Sequence, residues 1–234
     1  MGAKVISTSV LSYPSIDSRL VTILEPMGPA AEQFRLLHHR LDRLRASRPL
    51  SVVAVTSALA GEGKSTTIAN LAACAARRGR KTILVDGDLR RPGSSKLFGF
   101  DDVPPGLASI LEQEVPVEQA IRAGPEGLSL IPAGRTADDP AHLLGSPRFR
   151  QLVETLRNSY EEIYLDLPPV LAFADAHVGA AVADGVVMVV RSGETQAEVV
   201  REAMDAFSGL AVLGCVLTGC DESVPRYRKY YGRN

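Results

Sequence analysis

Ser51-Val-Val-Ala-Val-Thr56 leads, after one further residue, into Ala58-Leu-Ala-Gly61-Glu62-Gly63-Lys64-Ser65-Thr66-Thr67. The first run has strand length and is apolar throughout, as strands buried on both faces are. The residues that follow the loop place Ile68, Leu71, Ala72 and Ala75 on one face of a helix. Between the two, glycines let backbone N–H groups turn inward, and the helix N-terminus adds partial positive charge. Lys64 is placed to reach the β and γ phosphates of a nucleotide, and the Ser65 hydroxyl to ligate Mg²⁺. Ala58 stands where the pattern GxxxxGK(S/T) has its first glycine. The plainer reading is a tight turn with a surface lysine. The order strand, loop, helix favours phosphate binding.

Outward from this loop, strand-length apolar runs recur at Thr82–Asp86, Leu128–Pro132, Ile163–Asp166, Gly185–Arg191 and Val212–Leu217. Helical patterns lie between them at 65–78, 106–112, 117–123, 146–158, 174–183 and 195–208. This alternation predicts an α/β fold, a mostly parallel sheet with helices on both faces. Upstream, Phe34, Leu37, Leu41 and Leu44 predict an amphipathic helix over 29–46. Residues 1–27 read as an extended or loosely attached arm, 28–222 as one domain, and 223–234 as a flexible tail. That tail has four basic residues, no acid, and three of the six tyrosines, Tyr227, Tyr230 and Tyr231.

Composition narrows the function. With 45% hydrophobic and 23% charged residues among 234, a sizeable core is affordable and wholesale disorder is excluded. A net charge of −1 gives no drive toward nucleic acid, and no nucleic-acid partner is expected. No run approaches a membrane span, and nothing resembles a secretory signal. Three cysteines without CxxC spacing read as small hydrophobes in a reducing cytosol. The four histidines show no ligand spacing, and His38 and His39 are expected to decorate a helix. The basic run Arg77, Arg78, Arg80 and Lys81 suits a helix C-terminus.

Two more constellations carry chemistry. In Ile83-Leu-Val-Asp86-Gly87-Asp88-Leu89-Arg90-Arg91-Pro92, two aspartates leave the C-terminal end of a buried strand, where ligands collect in open α/β sheets. Turn formation alone explains Asp-Gly but not a carboxylate pair beside two arginines. In Ile163-Tyr-Leu-Asp166-Leu-Pro168-Pro169, a hydrophobic strand ends in an aspartate, which after such a loop suits the Mg²⁺ shell. Tyr164 is expected in the core.

From Glu32 onward the chain resembles the bacterial protein-tyrosine kinases of capsular and exopolysaccharide biosynthesis. The resemblance rests on AGEGKST, ILVDGDLRRP and YLDLPPV, on Pro132-Ala133-Gly134, on DPAHLL at 139–144, on Asp175-Ala176, and on the tyrosine-bearing tail. It implies a deviant P-loop NTPase fold, shared with cell-division and partitioning ATPases. Leu59 stands where those ATPases carry a lysine that reaches across a dimer.

The resemblance further implies ATP and Mg²⁺ as cofactors, with the loop Ala60, Gly61, Glu62, Gly63, Lys64, Ser65 and Thr66 around the nucleotide. Thr66 would contact the α-phosphate. Asp86, Asp88 and Asp166 would organise the metal and its waters, with Ser65, Asp86 and Asp166 as the metal set. Asp86 is the favoured acceptor of the tyrosyl proton. Tyr227, Tyr230 and Tyr231 would be phosphoacceptors. No adenine pocket is assigned; Thr218 stands where relatives often place Asn.

The expected protein is a cytoplasmic autokinase regulating polysaccharide synthesis and export. A transmembrane activator of the polysaccharide co-polymerase type would recruit it to the inner face of the membrane, and a phosphotyrosine phosphatase would reverse it. Self-association as a ring or dimer is implied by Glu32-x-x-Arg35-x-x-His38, although the family pattern ends in Arg; an ordinary helix packed on its own sheet explains the segment equally well. The alternatives are a partitioning-type ATPase switch and a nucleotide-binding regulator without catalysis.

Overall fold

In the computed structural model, residues 16–100 and 105–220 are described. Tyr227, Tyr230 and Tyr231 lie outside them. The chain begins with α1 (Val21–Leu24) and α2 (Pro29–Arg45). It continues through β1 (Val52–Ser57), α3 (Lys64–Arg77), β2 (Thr82–Asp86), α4 (Ser94–Leu97), α5 (Leu107–Leu111), α6 (Val117–Ala120), β3 (Arg122–Ala123) and β4 (Ser129–Ile131). The rest is α7 (Pro140–Gly145), α8 (Pro147–Arg157), β5 (Glu162–Asp166), α9 (Ala174–Ala180), β6 (Gly185–Arg191), α10 (Ala197–Asp205) and β7 (Val212–Thr218).

One seven-stranded sheet has the order β3-β4-β2-β5-β1-β6-β7. Every pairing is parallel except β3 with β4. Successive residues of β1 point to opposite faces. Val52 and Ala54 join one core with Leu107, Leu144, Phe149, Leu152, Ala176 and Ala203; Val53 and Val55 join another with Leu20, Leu41, Ile68, Leu71 and Leu97. Both faces of the central strands are thus covered, which is why they read as unbroken apolar runs.

Three expectations need correction. The helical pattern at 117–123 ends at Ala120, because Arg122 and Ala123 pair antiparallel with Leu130 and Ser129. The arm is not loose where it is described. Leu20 is fully buried, and Asn70 of α3 accepts from the Thr22 N–H and hydroxyl (3.0 Å each) while its amide donates to the Arg19 carbonyl (2.9 Å). A one-turn helix carries no periodicity, so this docking leaves no pattern in sequence. The third correction concerns His38, which does not decorate the surface. It is fully buried, with Nε2 3.1 Å from both oxygens of Glu162.

Glu162 also accepts from the Tyr164 hydroxyl (2.6 Å) and pairs with Arg45 Nη2 (2.9 Å). Burial works against its charge, but the His38 and Tyr164 hydrogen bonds and Arg45 override that and hold it below the usual carboxylate range. Tyr164 is pushed well above its ordinary value by burial and by Glu162. Arg45 reaches Asp42 Oδ1 as well, at 3.2 Å. The grouping of His38, Asp42 and Glu162 resembles a metal ligand set, yet a guanidinium already bridges its two carboxylates. The third position of Glu32-x-x-Arg35-x-x-His38 therefore faces the chain's own sheet. Arg35 itself pairs with Glu32 on the half-exposed side of α2.

Candidate active site

The phosphate-type loop joins the C-terminal end of central β1 to α3. Gly61 (φ +86°) and Gly63 (φ +90°) adopt left-handed backbone that a side chain would strain. Ala60 and Gly61 are exposed at the loop's crest, and Ser65 and Thr66 are half-buried. Glu62 departs from expectation. Its side chain is buried beneath the loop, accepting from the Leu59 N–H (2.7 Å) and from the Thr195 hydroxyl, while its carbonyl accepts from Thr218 Oγ1 (2.6 Å). Glu62 thus ties the loop to the ends of β6 and β7 rather than facing phosphate with its carboxylate. Glu62→Ala should weaken nucleotide affinity about tenfold, whereas Glu62→Gln, whose single amide oxygen keeps one of the two acceptor contacts, should lose less; calorimetric titration with ADP compares them.

Register brings the carboxylates together. Parallel pairing sets Asp86 of β2 directly beside Asp166 of β5, and Val55 of β1 beside Asp166 on its other flank. Lys64 Nζ lies 2.9 Å from Asp88 Oδ2, 3.1 Å from Asp166 Oδ1 and 3.2 Å from Ser65 Oγ. Burial would lower the lysine, but Asp166 and Asp88 outweigh it and keep the ammonium charged well above its ordinary range. Asp88 Oδ1 accepts the Arg91 N–H at 2.9 Å, so both its oxygens are engaged. Asp86 Oδ2 accepts from the Ser95 N–H (3.0 Å) and hydroxyl (2.7 Å).

Asp86 Oδ1 and Asp166 Oδ2 are buried without a hydrogen-bond partner. Buried carboxylate oxygens rarely go unpaired, and two such orphans beside the Ser65 hydroxyl are the hard-oxygen donor set that Mg²⁺ takes. The residues present fit the ion. Gly93 serves the same corner: a Cβ there would come 2.7 Å from Ser65 Oγ, so only glycine lets the loop after β2 close on that hydroxyl.

Burial, and then the Asp166 carboxylate, push the Asp86 carboxyl up to about 6, against the pull of Ser95 and Lys64. Its ordinary value is roughly 4. A raised folded value means its contribution to stability is favourable below about pH 4 and is lost as pH rises through about 6. Asp86→Asn should therefore stabilise the nucleotide-free protein at neutral pH by about 2 kcal/mol. That is several degrees in Tm, with the gain vanishing near pH 4 in calorimetric scans.

The rim adds a clamp absent from the sequence-based site. Arg90 Nε and Nη2 reach the buried Asp175 at 2.6 and 3.2 Å, and its guanidinium lies 4.4 Å from the Phe173 ring centre. In sequence, Asp175-Ala176 carries only the family resemblance, with no role attached. Likewise, no local pattern exposes Ser95, Gly93, Thr195 or Thr218, because each acts on a partner from another segment.

Comparison with known proteins agrees with this geometry. The AAA domain family profile matches residues 50–207. The tyrosine-protein kinase YwqD of Bacillus subtilis is 35% identical over 216 residues, covering 91% of each chain. The succinoglycan biosynthesis transport protein ExoP of Rhizobium meliloti is 31% identical across 92% of this chain, which spans only 29% of ExoP. Among solved structures, the kinase domain of the Escherichia coli tyrosine kinase ETK superposes with a TM-score of 0.84 at 26% identity, covering 93% of this chain and 86% of that one. A P-loop between buried carboxylates, the AAA domain match and the 35% identity to YwqD over nearly the whole of both chains lead to one assignment: the chain belongs to the bacterial protein-tyrosine kinases.

Proposed function

We propose that this chain transfers the γ-phosphoryl group of ATP to tyrosines of its own tail, Tyr227, Tyr230 and Tyr231, as a regulator of capsule or exopolysaccharide synthesis and export. The observation that carries the reading is the pair of orphaned, buried carboxylate oxygens on Asp86 and Asp166 beside Lys64 and Ser65. Lys64, now folded onto Asp88 and Asp166, swings to the β and γ phosphates when they arrive. The N–H groups of 60–66 cradle the chain of phosphates, and Thr66 meets the α-phosphate. Ser65, Asp86 and Asp166 would hold Mg²⁺, which when bound would supply positive charge to the phosphate oxygens.

Of the two aspartates that leave β2, Asp86 is the proposed acceptor for the tyrosyl proton, as it lies at the strand ends directly beside Asp166. Leu59, exposed in the loop, offers no cation to a partner's nucleotide, which disfavours a partitioning-type switch.

The likeness to ExoP supports a membrane-embedded polysaccharide co-polymerase as activator, which would recruit the kinase to the inner membrane face. Among the described residues no helix is long and apolar enough to cross a membrane. Self-association presents one molecule's tail to another's site, and a phosphotyrosine phosphatase resets it.

The test incubates the full chain with Mg-ATP and the activator's cytoplasmic segment, then maps phosphotyrosine by mass spectrometry. The Tyr227/Tyr230/Tyr231→Phe variant should lose nearly all signal with ADP affinity unchanged. Orthophosphate release and ATP-driven dimers without phosphotyrosine in the wild type would instead establish a nucleotide switch.

A further inference from the structure

The basic run Arg77, Arg78, Arg80 and Lys81 has no part in the chemistry above. The structure places its first two members on a cleft of about 180 Å³ between α1, α2 and α3. Arg35, Arg77 and Arg78 line it together with Thr22, Ala31 and Cys74. A cation-friendly helix C-terminus explains arginines at the end of α3. It explains neither Arg35, which comes from another helix, nor the concavity.

Two of the three guanidiniums, those of Arg77 and Arg78, are only loosely neutralised, whereas Arg35 is paired closely with Glu32. Arg77 Nη1 lies 3.5 Å from the Thr22 carbonyl and 3.9 Å from Glu126. Arg78 comes no closer than 3.9 Å to Asp42, and among the described residues its guanidinium donates no hydrogen bond. Arg35 is held in place by Glu32 and the Pro26 carbonyl. Burial pushes the Cys74 thiol up; Arg78 and Arg35 pull it down, Glu162 opposes them, and Arg77 adds to the downward pull, so the three arginines surround this wall of the cleft.

We propose that this cleft is a second anion site that takes a dianionic phosphate group, either free phosphate or the monoester of a phosphotyrosine. The forked guanidiniums of Arg77 and Arg78 at the end of α3 match the oxygens of a phosphate, with Arg35 of α2 lining the opposite wall, and charge-assisted pairs of this type are the strong ones. The volume is below the roughly 300–1,000 Å³ of sites for drug-sized ligands, so it suits a phosphate group rather than a whole nucleotide. It is also remote from the nucleotide loop: Lys64 and Arg77 stand at opposite ends of α3, about 20 Å apart at 1.5 Å per residue. An occupant would tie α2 to the helix that carries Lys64 and Ser65.

The experiment saturates the full chain with Mg-ADP, then titrates inorganic phosphate and, separately, N-acetyl-phosphotyrosine amide by calorimetry. The same titrations are run on the R77Q/R78Q variant, whose changes are at the surface. Saturable binding should weaken about tenfold or more in the variant, with Tm and ADP affinity unchanged. Binding of both probes assigns the site to the free dianion, and binding of phosphotyrosine alone assigns it to a phosphorylated side chain; either supports the proposal. No saturable binding of either probe, or equal affinity in wild type and variant, overturns it and leaves the kinase assignment untouched.

Discussion

Replacing Lys64 by Met should abolish phosphotyrosine formation and, unusually for a catalytic-site change, also destabilise the nucleotide-free protein. Two effects separate here. Loss of the ammonium removes the charge that stabilises phosphoryl transfer, a deficit of about 10³-fold or more in rate. It also leaves Asp88 and Asp166, both almost fully buried, with no cation within 3.1 Å. Breaking a buried pair by removing one partner costs about 3–5 kcal/mol. A second change, Asp88→Asn, should recover much of that stability because it removes one of the stranded charges. It should recover none of the activity. Thermal unfolding and anti-phosphotyrosine detection on the single and double variants distinguish the two. A Lys64→Met protein as stable as wild type would show that the carboxylates do not depend on the lysine.

The second large effect lies at the other end of β5. Glu162→Leu should lower stability by about 3–5 kcal/mol, enough to reduce Tm by about 10 °C in a domain of this size. Glu162 is 1% exposed and holds His38, Arg45 and Tyr164 together; Arg80 Nε adds a looser contact at 3.7 Å. Without it, Arg45 keeps Asp42, the Leu50 carbonyl and a 3.4 Å contact to the Tyr164 hydroxyl, while the buried histidine and tyrosine lose the carboxylate they share. Because α2 hangs on this cluster, the loss should appear first as faster hydrogen exchange in Pro29–Arg45. Chemical denaturation together with exchange mass spectrometry would measure both. Unchanged protection in α2 would mean that the apolar contacts of Leu37, Leu41 and Leu44 suffice to hold it.

These two sites also mark what sequence reveals and what it hides. The P-loop, the Asp86/Asp88 turn and the Asp166 strand end were legible because each is local. A continuous apolar run, a glycine pair or a terminal aspartate announces itself within ten residues or so. Likewise legible were the parallel sheet and its two layers of helices, since strands buried on both faces cannot alternate in polarity. Glu162 gave no such signal. It is a charged residue at the start of a strand, beside another glutamate, and its partner His38 is 124 positions away.

The same holds for Glu62 and Thr195, 133 positions apart, and for Asn70 and Thr22, 48 apart. In each pair a polar side chain earns its place only through burial against a distant segment. Local pattern assigned Glu62 to the proposed nucleotide loop, where its backbone lies, but could not see its carboxylate turned beneath the loop. The two-residue β3 is equally silent, because an antiparallel bridge of that length imposes no period.

The central claim is that the β1–α3 loop grips a triphosphate while Asp86 and Asp166 at neighbouring strand ends hold its magnesium. Calorimetric titration of the full-length chain with ADP, run with and without Mg²⁺, tests it most directly. The expected result is saturable one-to-one binding that requires the metal and disappears in the Asp86→Asn/Asp166→Asn variant, whose fold is confirmed by circular dichroism. Binding of equal strength without magnesium, or no binding by folded wild-type protein, would contradict it.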